Sequence, residues 1–206
     1  MIREVELDFW NFRRGETPPL ITTTREVLSS HRLNPDRAPD IAPSSAFRRA
    51  VDSLRDEKQS HEVNLVAKCF TDKESGLLRA QFDLQTQDRG RLHRQVESIF
   101  EFDDGRISLI SGKELALEDA YHTAVTQYNW SDISGIIQNI LTQDGLGSYS
   151  PRSAGGIYFI PVRSDNADLL DRIEAFCNTL RVRLLRYQIP DTSVQREEIA
   201  EAIVQS

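Results

Sequence analysis

Residues 76–87 read GLLRAQFDLQTQ, a run in which apolar residues alternate with polar or charged ones. One set of alternate positions is apolar and the other is hydrophilic: Leu78, Ala80, Phe82 and Leu84 against Arg79, Gln81, Asp83 and Gln85. A period of two residues is typical of a β-strand that buries one face and exposes the other. The stretch therefore predicts a half-buried strand.

The same patterning continues on both sides of that strand. Residues 91–102 (RLHRQVESIFEF) alternate in the same way, and the turn sequence at 103–105 (DDG) leads into the apolar run 107–110. An Asp-Gly pair between apolar runs is a strong signal for a β-hairpin. Four short runs together predict an antiparallel β-meander from His61 to Ser111.

The sequence before the meander predicts one strand and two helices. Residues 2–12 begin with apolar residues alternating with acidic ones, so we expect a strand that joins the meander sheet. The threonines at 22–24 are expected to cap a short helix. Residues 34–45 contain three prolines and predict a loop or linker, after which Ser44 or Ser45 is expected to cap a helix with one apolar stripe.

After Gly112 the patterning changes from strands to helices. The last predicted helix, which begins at Thr192 or Ser193, still carries an apolar stripe near Ser206. It therefore either packs on the domain or continues as a longer helical tail. Helical spacing predicts a helix over 114–127. Three further helices are predicted to begin at capping residues: Ser131 or Asp132, Asp165 or Asn166, and Thr192 or Ser193. Strands are predicted over 157–161 and 182–189.

This order of elements predicts an α+β fold. It consists of an antiparallel β-meander sheet with an N-terminal strand and helices, followed by a helix-rich α/β C-terminal half. Three regions are expected: a meander-sheet region over 1–111, a helix-rich α+β region over 112–192, and a C-terminal helix over 193–206 that is truncated or oligomerising. Whether the first two regions share one core is left open.

The net charge, the hydropathy and the cysteine content limit the binding partners and the cellular compartments that the sequence favours. The 206 residues carry a formal net charge of −7, and an acidic chain repels nucleic acid and anionic membranes on average. No apolar stretch approaches the roughly 20 residues that span a bilayer, and the N-terminus is unlike a signal peptide. Cys69 and Cys177 have no zinc-site spacing and are expected to be buried thiols. The composition predicts a cytoplasmic protein with no cofactor, no bound metal and no membrane partner.

Residues 88–94 (DRGRLHR) form the candidate binding site, with Arg89, Arg91, His93 and Arg94 gathered around a hairpin tip. Guanidinium groups in such a cluster can bind phosphate or a carboxylate-rich partner. The simpler interpretation is a solvated hairpin end whose charges maintain solubility.

Two further segments carry weaker binding signals. Arg152, just before the Gly155-Gly156 turn, is a candidate anion contact, although such a turn also commonly begins a strand. The elements between Leu117 and Pro161 follow the order of a winged helix, but residues 131–142 contain no lysine or arginine to contact DNA phosphates. A helix pair packed on a small sheet is the simpler interpretation.

Sequence motifs for catalysis, metal binding and phosphate binding are absent: there is no G-x-x-x-x-G-K-[ST], H-E-x-x-H or G-x-S-x-G. A metal site could be assembled from His61, Glu62, Asp83 and Glu97, but the solvated face of any meander carries such residues. We therefore predict no catalytic residue and keep a hydrolase or nuclease with a dispersed site as an alternative.

Residues 43–50 (PSSAFRRA) and 155–161 (GGIYFIP) resemble stretches of an uncharacterised phage- and plasmid-encoded protein family of unknown function. The resemblance implies a mobile-element context and says nothing about activity. Our leading hypothesis is a non-enzymatic interaction or assembly protein, which self-associates or docks a protein partner through its sheet edge or terminal helix. The alternative is a nucleic-acid- or nucleotide-binding protein that uses the arginine-rich hairpin 88–94.

Overall fold

The alternating runs of the sequence form strands in the computed structural model of the chain. It describes residues 2–8, 17–57, 63–88, 91–143, 146, 157–161 and 167–189. In chain order the elements are β1 (Ile2–Asp8), α1 (Ile21–Ser30), a 3₁₀ turn (Pro35–Arg37), α2 (Pro43–Glu57), β2 (Val63–Thr71), β3 (Leu78–Asp88), β4 (Arg91–Asp103), β5 (Arg106–Gly112), α3 (Leu117–Thr126), α4 (Trp130–Gln143), β6 (Ile157–Pro161), α5 (Ala167–Thr179) and β7 (Arg183–Ile189). The α+β class is confirmed.

Two compact units make up the chain. The meander unit is Asp40–Gln127, and the terminal unit combines Met1–Pro39 with Tyr128–Ser206. This division differs from the expected regions 1–111 and 112–192, because α3 belongs to the meander unit, where it packs against α2. The helix expected over 193–206 lies outside the described residues.

The β-meander is confirmed, with strand order β2-β3-β4-β5 and antiparallel pairing between neighbours. Helices α2 and α3 pack on the face that carries the alternate apolar residues. Phe82 of β3 is fully buried there. Phe47 of α2 stacks on Phe102 of β4 with ring centroids 4.7 Å apart, and Tyr121 of α3 lies 5.5 Å from the ring of Phe102. The period of two in the sequence therefore locates the core of this unit.

Pairing within the meander is interrupted at two β-bulges. On β4 the register shifts so that Phe82 pairs with Ser98 and the next residue of β3 pairs with Val96, which leaves Glu97 as an extra residue. On β5 a second shift leaves Ile110 as the extra residue. Bulges bend the strand that carries them and increase its twist, so both shape the edge of the sheet.

In the terminal unit, β1 forms as predicted but its predicted partner is wrong. Instead of joining the meander, β1 lies between β6 and β7 in a separate three-stranded antiparallel sheet. Alternation identifies a strand that buries one face, but it carries no information about which strand lies beside it. The helices contribute fully buried apolar side chains to this unit: Leu28, Ile133, Ile137, Ile140, Leu170, Ile173 and Phe176.

Helices α1 and α2 begin before their expected caps. Leu20 is the N-cap of α1 without a side-chain hydrogen bond, and the hydroxyl of Thr24 donates to the Leu20 carbonyl oxygen at 2.9 Å. Helix α2 begins at Pro43, ahead of Ser44 and Ser45, because the fixed φ of proline suits the first helical position.

Helix α4 begins with a reciprocal capping arrangement. The Asp132 N–H donates to the Asn129 side-chain oxygen and the Asn129 N–H donates to the Asp132 carboxylate, both at 2.8 Å. A winged helix would need α3 and α4 in one domain, but α3 belongs to the meander unit and α4 to the terminal unit. The observed division thus disfavours the winged-helix interpretation.

Candidate binding site at the edge of the meander

Strand β5 is an edge of the meander sheet, since among the described residues it pairs with β4 alone. The turn that precedes β5 has positive φ at Asp104 (40°) and Gly105 (94°), which is typical of a type I′ two-residue hairpin. Arg106 closes such a hairpin in a hydrogen-bonded pair, and the pairs then alternate along an antiparallel ladder. The N–H and C=O groups of Ile107 and Leu109 therefore point away from β4, where another strand can pair with them.

A cleft of about 460 Å³ lies beside this edge. Its apolar lining consists of Phe100, Ile107, Leu109, Leu115 and Ala116. Leu109 is 42% exposed and the neighbouring Ile110 is 50% exposed. Of these two residues only Leu109 lines the cleft, and an exposed large apolar side chain at a surface depression is typical of an interaction site.

Three carboxylates complete the lining of the cleft: Glu114, Glu118 and Asp119. Glu118 and Asp119 are in the first turn of α3, where negative charge also stabilises the helix dipole, whereas Glu114 precedes the helix. No lysine or arginine is among the described residues that line the cleft, and Lys113 beside it is paired with Glu97 at 2.9 Å. The cleft therefore combines an apolar floor with a negative rim.

An adjoining depression of about 620 Å³ lies at the hairpin end of β5 and shares Glu118 with the cleft. Its lining is more polar and includes Arg106, Tyr121 and His122. Burial raises the pKa of the Tyr121 hydroxyl, and the nearby Asp104 carboxylate adds to this effect. The phenol therefore keeps its proton at neutral pH.

Gly112 and Lys113 hold the end of β5 against β4. Gly112 has a φ of +94°, and a Cβ at this position would lie 2.0 Å from the Glu97 carbonyl oxygen. The Lys113 N–H donates to this oxygen at 3.1 Å, and the Lys113 carbonyl oxygen accepts from the Ser98 hydroxyl at 2.5 Å. This attachment determines where the chain leaves the sheet, and so it positions Glu114 beside the cleft.

The arginine-rich tip predicted from the sequence is described only in part. Arg89 and Arg152 lie outside the described residues, and only the backbone of Arg91 is described, at the start of β4. His93 is exposed and follows on β4. Because successive side chains of a strand point to opposite faces, His93 and Arg94 do not share one face.

Arg94 is engaged within the sheet. Its Nε donates to Oδ2 of Asp83 at 2.6 Å, and its Nη2 contacts the same oxygen. Asp83 is only 1% exposed, and its other oxygen accepts from the Gln81 side-chain amide at 2.6 Å. The Arg94 guanidinium thus neutralises a buried carboxylate, which makes it less available to an external anion.

The dispersed metal site is not assembled among the described residues. Asp83 is bound by Arg94 and Glu97 by Lys113. No group of three or more His, Cys, Asp or Glu side chains in the described ranges could hold a metal ion. The other two residues considered for that site, His61 and Glu62, lie outside those ranges.

Both cysteines are thiols and neither forms a disulfide. Cys177 is buried and Cys69 is partly buried. Burial raises the pKa of the Cys69 thiol, so it stays protonated and weakly nucleophilic at neutral pH. None of the described helices is both long and apolar enough to cross a membrane.

The cleft beside β5 was not predicted from the sequence. Alternation predicts the strand β5 and helical spacing predicts a helix over 114–127, but neither pattern relates the two elements. One signal was available, since Leu109 and Ile110 are consecutive apolar residues in a strand with period two. Strict alternation would expose one of them, and the bulge at Ile110 leaves both partly exposed.

Comparison with known proteins gives one family match. The family model described as "Family of unknown function (DUF6744)" matches residues 23–206. No curated protein and no solved structure matches the chain.

Proposed function

We propose a protein-binding role for this chain, which belongs to DUF6744, a family of unknown function. In this proposal the chain is a non-enzymatic interaction protein, and β5 binds an extended segment of a partner protein by strand addition. The observation that carries the proposal is the outer side of β5, which in the described part of the chain pairs with no strand and adjoins a cleft with an apolar floor and an acidic rim.

Strand addition needs backbone groups for affinity and a pocket for alternate side chains of the ligand. The outward N–H and C=O groups of Ile107 and Leu109 meet the first requirement, and the adjoining cleft meets the second. Many proteins protect their edge strands with charged residues or proline. At this edge a bulge at Ile110 limits regular pairing to Arg106–Leu109, but the exposed residues Leu109 and Ile110 are apolar, which supports binding along that stretch.

The occupant that the charges favour is a partner protein and not a second copy of this chain. In a symmetric dimer the same patch of each subunit faces its equivalent. Pairing two β5 edges would bring two sets of Glu114, Glu118 and Asp119 close together, and like charges placed in contact oppose association. A partner segment carries no such penalty.

The test is a titration of the ¹⁵N-labelled full chain with a short peptide that alternates valine and serine, followed by amide chemical shifts. We expect shifts at Ile107 and Leu109. Leu109→Pro removes one outward N–H, which an edge strand tolerates, and should abolish the shifts. Leu109→Ala shortens the same side chain but keeps the N–H, so it is the matched control and should still respond.

Two results would contradict the proposal. One is the absence of shifts at Ile107 and Leu109 up to millimolar peptide, and the other is an undiminished response in Leu109→Pro. Light scattering during size exclusion checks the choice of occupant. A dimer that disappears in Leu109→Pro would mean that a second copy occupies the edge, against the charge argument above.

The other expectations from the sequence have less support. Nucleic-acid binding through residues 88–94 is disfavoured because Arg94 is engaged with Asp83. A mobile-element context rests on the resemblance of residues 43–50 and 155–161 alone. We also propose a cytoplasmic location, for which the support is that the two cysteines are thiols.

A further inference from the structure

We propose that the segment bound at β5 is cationic and places a lysine or arginine side chain in the cleft. This inference rests on the proposed function and specifies the chemistry of its ligand. It depends on the direction of the ligand side chains, on the lining of the cleft and on the local charge.

An added strand would send alternate side chains toward the face that carries Ile107 and Leu109. These two residues pair with Phe102 and Phe100 of β4, so that face is the one on which α3 packs. Regular pairing of β5 runs over Arg106–Leu109 before the bulge. At about 3.3 Å per residue this length is roughly 13 Å, enough for two ligand side chains to face the cleft.

The lining of the cleft suits a long side chain with an apolar stem and a cationic head. The stem of lysine or arginine can lie along apolar surface while its charged end remains near water. Here the floor offers Ile107 and Leu109, and the rim offers the carboxylates of Glu114, Glu118 and Asp119. A purely apolar side chain would desolvate those carboxylates without compensating them.

The charge around the cleft is also negative. Residues 101–119 include six acidic and two basic residues. Of these, Lys113 is paired with Glu97 and Glu101 is paired with Arg79, so the other acidic residues still outnumber the remaining basic one. The helix dipole accounts for a negative charge at Glu118 or Asp119, but Glu114 lies before the helix. An acidic ligand segment would meet repulsion at all three carboxylates.

The experiment compares three peptides that alternate valine with lysine, serine or glutamate, using the amide shifts of the full chain. The lysine peptide should bind about tenfold more tightly than the serine peptide, because its two cleft-facing ammonium groups can each form an exposed ion pair with the carboxylates of the rim. This preference should weaken as salt is raised, and the glutamate peptide should bind most weakly.

Glu118→Gln combined with Asp119→Asn should remove most of the preference for the lysine peptide. The matched control is Glu74→Gln, which changes an exposed carboxylate in the turn between β2 and β3 and should leave the preference unchanged. The unfolding midpoint of each variant is measured as well, to verify that it remains folded. A response to Glu74→Gln as large as that to the double variant would overturn the inference.

The failures of the two proposals are distinguishable. Equal binding of the three peptides, with shifts at Ile107 and Leu109, would overturn the cationic ligand while leaving strand addition intact. Binding of the glutamate peptide in preference to the lysine peptide would do the same. Absence of binding by all three would overturn both proposals.

Discussion

Gly112→Ala changes a residue at which the backbones of β5 and β4 lie close together, and it is expected to destabilise the meander unit for two reasons. The φ of Gly112 is +94°, a conformation that residues with a Cβ rarely adopt. The added Cβ would also lie 2.0 Å from the Glu97 carbonyl oxygen and 2.7 Å from the Ser98 Cα. Both atoms belong to the backbone, so the two strands must separate.

The magnitude follows from these two costs. A positive φ costs a residue with a Cβ about 1–2 kcal/mol. Separating the strands weakens the hydrogen bonds from the Lys113 N–H to Glu97 and from the Ser98 hydroxyl to Lys113, at about 1 kcal/mol each. Gly112→Ala should therefore lower the free energy of unfolding by about 3–4 kcal/mol.

Gly76→Ala is the matched control in the same unit. Gly76 also has a positive φ, 71°, but no atom lies within 4 Å of its added Cβ. Only the backbone cost applies, about 1–2 kcal/mol. The assay is urea unfolding followed by far-UV circular dichroism at neutral pH. Destabilisation of Gly112→Ala no greater than that of Gly76→Ala would refute the predicted close approach of β4 and β5.

Three further predictions concern the meander unit. Phe47→Ala empties a fully buried ring position and should cost about 3–5 kcal/mol in urea unfolding; a loss near zero would contradict the assigned core. Arg94→Ala leaves the buried Asp83 carboxylate without its ion pair and should lower the free energy of unfolding by about 1–3 kcal/mol. Adding Asp83→Asn should recover part of this loss. If the losses of the two single variants simply add in the double variant, the ion pair is contradicted. Hydrogen bonding from the Ser75 N–H is the main cause that lowers the pKa of Asp72 below its ordinary 3.8, so Asp72→Asn should destabilise the unit at pH 7. That difference should close as the pH falls through the lowered pKa, and a difference that grows in acid would contradict the assignment.

The meander and its core were predictable because one physical rule governs them. Side chains of a strand alternate between two faces, so Ala80 and Phe82 had to lie on the same face once one of them was buried. The rule also holds for β1, but it says nothing about strand pairing. The partner of β1 was therefore predicted wrongly, since β6 and β7 follow it by well over a hundred residues in the chain.

The boundaries between the two units coincide with interruptions in the sequence pattern. The proline-rich stretch 34–45 contains the boundary at Pro39, and the boundary at Tyr128 lies between the helix predicted over 114–127 and the helix predicted from Ser131 or Asp132. Each was interpreted as an interruption between neighbouring elements. The terminal unit combines both ends of the chain, and local patterns carry no information about contacts at that separation.

The cleft depends on features that periodicity does not encode. Its shape depends on the bulge at Ile110 and on the backbone contact between Gly112 and Glu97. A bulge is one extra residue in one strand, and it can be recognised only when the partner strand is known. The sequence pattern also does not show that Arg94 of the predicted arginine cluster is engaged within the sheet. Its buried partner, Asp83, lies on the neighbouring strand across the hairpin.

The most direct test of strand addition at β5 is amide hydrogen exchange at Ile107 and Leu109, with and without the valine–lysine peptide. Both N–H groups point away from β4, so they should exchange rapidly in the protein alone. They should slow together when a bound strand accepts their hydrogens, while the exchange of the amides in the turn between β2 and β3 stays unchanged. Exchange at Ile107 and Leu109 that remains fast with saturating peptide would contradict strand addition at this edge.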